Sequence, residues 1–165
     1  MKKIVFLFLL SMGVVFASDV KKVDNALYQK ECASCHFAFQ PGLLPARSWE
    51  KIMGNLDNHF KTDASLDTLD NQKILAYLVK NASDNALEYK RSRKINNSIG
   101  KNETPIRITQ TAYFIHKHRE IPQHMIVQKE VGSLSNCAAC HTRANEGRYS
   151  EREIRIPNYR GWEND

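Results

Sequence analysis

Two pentapeptides carry the residues with the sharpest chemical meaning in this chain: Cys32-Ala33-Ser34-Cys35-His36 and Cys137-Ala138-Ala139-Cys140-His141. In each, two thiols spaced by two residues suit addition to the two vinyl groups of a porphyrin. The adjoining imidazole suits one face of its iron, which completes the attachment pattern of a c-type haem. All four cysteines of the chain are used in this way.

Other chemistries of a C-x-x-C pair fit less well. A zinc ribbon sets its pairs about 15–20 residues apart, whereas most of the chain separates Cys35 from Cys137. A thioredoxin-type motif follows a buried strand; here Cys32 follows the polar helical stretch from Lys22 to Lys30, and a histidine closes both motifs. A disulfide across two residues closes too little chain to stabilise much. The expectation is two covalently bound haem c groups (iron), attached at Cys32, Cys35, Cys137 and Cys140, with His36 and His141 as the proximal ligands.

The segments around the motifs say where such a protein would work. Lys2 and Lys3 precede an apolar run from Ile4 to Val15, and Val15 and Ala17 are small residues at the interval of a cleavage site, so residues 1–17 read as a secretory signal peptide. The run is well short of the roughly 20 residues needed to span a bilayer. Export to a bacterial periplasm follows as the expected location. The formal charge of +6 falls to about +4 without Lys2 and Lys3, and haem propionates lower it further. No strong field remains to hold a nucleic acid, and the run Lys90 to Lys94 reads as a solvated linker face.

The elements that position the motifs are helical, with no alternating strand pattern. A first helix is expected from Val20 into Cys35, then a loop broken by Pro41, Gly42 and Pro45. Ser48 caps a helix bearing Trp49, Ile52, Met53, Leu56, His59 and Phe60 on one face. A third helix carries Leu66, Leu69, Ile74, Leu75, Leu78 and Val79. Residues 83–105 are polar and asparagine-rich and read as a linker. A short helix then starts at Thr109 or Thr111 and is stopped by Pro122, and an irregular tail runs from Arg143. The fold class is mainly α, with haem 1 in residues 18–82, which resemble a class I cytochrome c domain, and haem 2 in a C-terminal domain, 106–165, with little regular structure.

Function turns on the far side of each iron, since two strong side-chain ligands leave an electron carrier and an open face leaves a binding site. For haem 1, His59 lies on an apolar helix face; Met53 is the rival, although a mid-helix methionine is more often core filling. For haem 2, His116 and His118 point to different sides of one helix. His118 has Phe114, Ile115 and Ile121 as helical neighbours and lies on the drier face; His116 and His124 remain alternatives.

The stretch Pro41-Gly42-Leu43-Leu44-Pro45-Ala46-Arg47-Ser48-Trp49, with Asp57-Asn58-His59-Phe60, resembles the bacterial dihaem cytochrome c family that partners the sphaeroides haem protein. Thr104-Pro105-Ile106-Arg107-Ile108-Thr109, Lys117-His118-Arg119-Glu120-Ile121 and Asn136 to Ala144 fit the same pattern. The resemblance implies two low-spin, bis-histidine haems, with His59 and His118 as the matching candidates. It further implies electron exchange with a small monohaem cytochrome c of the sphaeroides haem protein type, often alongside a membrane-bound cytochrome b. The expected function is periplasmic electron transfer without catalysis. The alternatives are a dihaem peroxidase or other small-molecule reductase, and a haem-based gas sensor.

Overall fold

The computed structural model describes residues 18–159; the expected signal peptide, 1–17, lies outside them. Among the described residues seven α-helices and several 3-10 turns make up the regular structure, and there is no strand, only the isolated bridges His59–Thr62 and His141–Ile154. No helix among these residues is long and apolar enough to cross a membrane.

Helix α1 (Ala26–Cys32) starts later than expected, because Asn25 accepts a hydrogen bond from the Tyr28 N–H and so caps it there. The preceding Val20 is fully buried and its N–H donates to the Gly147 carbonyl at 3.0 Å, so this end of the chain is tied to the far end of the sequence instead of extending the helix. After α1 the chain turns back, and the Tyr28 hydroxyl donates to the Phe39 carbonyl at 2.8 Å.

Helix α2 (Ala46–Met53) corrects a second expectation. It begins after Pro45, not Ser48, and its first free N–H, on Ala46, is taken by the Asp84 carboxylate. It stops at Gly54, so Leu56 to Lys61 form a 3-10 turn and a loop in which Phe60 and Lys61 have positive φ of 53° and 75°. The apolar spacing continues past Met53, but Gly54-Asn55 removes the propensity that would carry a helix across it. His59 is therefore a loop residue.

Helix α3 (Thr68–Lys80) is close to expectation. Asp67 caps it, and Ile74 and Leu78 face α2 from its buried side. The Asn71 amide donates to the Met53 carbonyl, satisfying one of the orphan acceptors at the end of α2.

The segment 83–105, expected as a linker, instead contains helix α4 (Lys90–Asn97) and joins the core. Ser92 and Ile95 are buried, and the 3-10 turn Pro41–Leu43 packs on this helix. The approach is so close that a Cβ on Gly42 would lie 2.4 Å from Ser92 Oγ. Polarity hid this helix: its one buried aliphatic residue is Ile95, and its close contact uses a serine against a glycine.

Helix α5 (Ala112–His118) is capped by Thr111, as one of the two expected starts, and ends before Ile121. Short helices α6 (Gln123–Ile126) and α7 (Cys137–Cys140) follow, the latter being the second haem motif itself. The tail is less irregular than expected, with two 3-10 turns and a hydrogen bond from the Arg155 N–H to the Cys140 carbonyl. One hydrophobic cluster runs from Val20 and Tyr28 through Leu44, Ile74 and Ile95 to Phe114, so the two halves share a core.

A buried clasp joins the two motifs. Gln40, 0% exposed, donates to the Ala144 carbonyl at 2.6 Å and accepts from the Tyr149 hydroxyl at 2.5 Å. Gln40→Leu leaves a buried hydroxyl and a carbonyl unpaired and is expected to cost about 3 kcal/mol. Denaturant unfolding followed by far-UV circular dichroism measures it; an unchanged midpoint contradicts the expectation.

Candidate haem sites

The first site is built by the end of α1 and the loop after α2. Cys32 is the last residue of α1, and Cys35 and His36 lie in the turn beyond it, both exposed. His36 Nδ1 sits 2.8 Å from the Phe37 carbonyl, which suits an Nδ1–H donor and leaves Nε2 with its lone pair. The His59 ring faces it, centroids 6.1 Å apart and planes 24° from parallel. Burial, then the nearby His36 and Arg107, hold the His59 imidazole below its usual pKa.

The second site is more enclosed. His118, at the end of α5, stacks on Phe114 at 3.8 Å, and its Nδ1 is 2.8 Å from the Phe114 carbonyl. Its ring lies 6.2 Å from that of His141, with the planes 75° apart. Both rings border a cavity of roughly 280 Å³, together with Cys137 and Cys140 and apolar walls that include Ile95, Ile108 and Phe114. Tyr149, which also borders the cavity, packs edge-on against His141 with ring centroids 5.2 Å apart. Burial above all, then His118 and Arg91, pushes the His141 imidazole down to about 4.

Several features fit a haem in each place. Two iron–nitrogen bonds of about 2 Å and two ring radii of about 1 Å separate a pair of axial imidazoles by about 6 Å, close to both observed spacings. Neutral imidazoles are what a metal ligand must be, and burial keeps His118 and His141 so. The buried Nδ1 of His141 has no hydrogen-bond partner, unlike the Nδ1 atoms of His36 and His118, which lie against backbone carbonyls. Among the described residues no three His, Cys, Asp or Glu side chains gather as a metal site. A porphyrin needs no such group, because it brings four nitrogens of its own. The thiols of Cys32 and Cys137 are pushed up to about 11 by burial, the opposite of the lowered values of thiol–disulfide exchange.

The rivals from the sequence are placed differently. Met53 is buried in the core cluster; His116 borders the second cavity but is exposed and hydrogen-bonded to Arg119; His124 is exposed against Tyr159. Sequence reading missed three residues around the second site. Gln40 carries no signal, Tyr149 sat in a tail taken as irregular, and Arg91 sat in a basic run taken as solvated.

A family model described as dihaem cytochrome c matches residues 28–149, a span that holds both motifs and both facing histidine pairs. The chain belongs to the dihaem cytochrome c family. Among solved structures, this dihaem cytochrome c is similar to the diheme cytochrome c from Rhodobacter sphaeroides, at 40% identity and TM-score 0.69, covering 79% of this chain and 100% of that one. It is also similar to the diheme cytochrome type c from Shewanella baltica OS155, at 39% identity and TM-score 0.68, covering 84% and 98%. Comparison with curated proteins finds no match. Membership brings two covalently bound haem c groups and electron transport as the function of the chain.

Proposed function

We propose that this cytochrome passes single electrons between redox partners in the bacterial periplasm, both irons being closed by paired histidines. Cys32 and Cys35 would hold haem 1, with His36 and His59 as the ligands of its iron; Cys137 and Cys140 would hold haem 2, with His141 and His118 in those roles. The observation that carries this reading is the facing of the imidazoles at 6.1 and 6.2 Å. Each bound haem supplies a one-electron ferric–ferrous couple. The chain's own residues do the rest: the four imidazoles exclude exogenous ligands and keep geometry alike in both oxidation states. Nitrogen ligation on both faces keeps the potentials below those of histidine–methionine cytochromes.

We assign haem 1 to residues 18–82, in a class I-like arrangement of α1, α2 and α3, and haem 2 to residues 106–165, with Leu43, Arg91 and Ile95 of the preceding chain bordering its cavity. The partner we propose is a small monohaem cytochrome c of the sphaeroides haem protein type, with a membrane-bound cytochrome b on the other side of the exchange. Support for both comes from the segments quoted above, Pro41 to Trp49 and Lys117 to Ile121 among them. Export rests on the pattern of residues 1–17.

Optical spectra of the ferric and ferrous protein, with and without carbon monoxide, test the reading. Two low-spin haems inert to the gas are expected, and a gas-binding haem in the unmodified protein points instead to a peroxidase, reductase or sensor. The different ring tilts, 24° and 75°, are further expected to give two distinct ferric low-spin signals in electron paramagnetic resonance.

A further inference from the structure

We propose that Arg91 of α4 holds a propionate of the second haem and thereby raises the reduction potential of that centre. The proposal rests on His118 and His141 as that iron's ligands.

The Arg91 side chain is only 14% exposed and lines the same cavity as His118, His141, Cys137 and Cys140. One Nη donates to the Tyr113 hydroxyl and the other to the Tyr149 carbonyl at 2.7 Å. Nε has no hydrogen-bond partner and is 3.7 Å from Asp19 Oδ1. A guanidinium has five N–H donors, so two neutral acceptors and one distant carboxylate leave it under-compensated. That carboxylate is itself committed, Asp19 Oδ2 accepting from the Tyr149 N–H at 2.9 Å. Burying a cation in this way is costly unless an anion joins it.

The cavity around it suits one kind of ligand. Ile95, Ile108 and Phe114 offer apolar walls, His118 and His141 face each other across it, and the guanidinium is the buried cation on its border. Haem c is an apolar disc with an iron at its centre and two carboxylates at one edge. The planar fork of arginine matches a carboxylate through two parallel hydrogen bonds. Reduction removes one positive charge from the iron, so a buried cation beside it, or one that neutralises a propionate, favours the ferrous state. At the first site the nearby cation among the described residues, Arg107, is instead stacked over the ring of the exposed Phe60, at 3.8 Å.

Potentiometric titration of the holoprotein, followed by electron paramagnetic resonance so that each ferric signal is read separately, tests this. Arg91→Gln is expected to shift the ferrous–ferric equilibrium of the second haem roughly tenfold toward ferric, about 59 mV downward for one electron, with the first haem unmoved. Arg91→Lys keeps the charge and loses the fork, and falls by less. Asp19→Asn removes the competing carboxylate and raises the second potential. An unmoved second potential in Arg91→Gln, or an equal fall in the lysine variant, overturns the proposal. Should Arg91→Gln fail to take up the second haem, an unmoved potential in Asp19→Asn overturns it. Spin state in the same spectra keeps the two readings apart: a high-spin second haem in the unmodified protein refutes the histidine pair, whereas an unmoved potential at a low-spin haem refutes Arg91.

Discussion

Replacing His118 with alanine is expected to convert the second haem to a high-spin centre that binds carbon monoxide, while the first haem stays low-spin and inert. The facing pair explains the size of the effect. His118 is held by its stack on Phe114 and by the contact of its Nδ1 with the Phe114 carbonyl, so its ring is aimed across the cavity at His141. Neither remaining histidine is expected to replace it: His116 borders the cavity, but its ring is exposed and its Nδ1 is engaged by Arg119, and His124 is exposed against Tyr159. The space left by the imidazole then admits water or a diatomic gas to the iron. Optical spectra before and after carbon monoxide measure this as conversion of one haem in each molecule. A variant that remains fully low-spin and inert removes His118 from the ligand set.

A second large effect is expected far from any iron. Gly147→Ala should cost about 3–5 kcal/mol and disturb the spectrum of the second haem. Gly147 has φ +71°, and a Cβ there would lie 2.0 Å from the Val20 carbonyl oxygen, which belongs to backbone and cannot rotate aside. Relief means parting the two segments, which breaks the bond from the Val20 N–H to the Gly147 carbonyl and exposes a fully buried valine. Two residues further on, Tyr149 accompanies the movement, and with it go its packing on His141 and its bond to Gln40. Gly132 is the control. It has a similar φ of +74° but nothing within 4 Å of a Cβ, so Gly132→Ala bears only the left-handed backbone penalty of about 1–2 kcal/mol. Equal losses in the two variants, measured by denaturant unfolding, contradict the close-approach account.

The same contrast between local and distant contacts explains which expectations matched the structure. Helix α3 and the Thr111 start of α5 were legible because an apolar periodicity and a capping side chain act within a turn or two. Helix α4 was not, because a Ser92–Gly42 approach and an inward-facing arginine look in sequence like a solvated linker. The loop at His59 was obscured by an apolar spacing that continues past Gly54 after the helix has ended.

Residue type and spacing alone determined where porphyrins are expected to attach, that the chain is helical, and which few histidines were available as second ligands. These are short-range matters, set by covalent reach and helical period. Only the tertiary structure brings His59 to within 6.1 Å of His36 and His118 to within 6.2 Å of His141. It alone turns Arg91 inward and clasps the two motifs through Gln40 and Tyr149. Those contacts join residues far apart in the chain and follow from how one shared core packs, which no local pattern encodes.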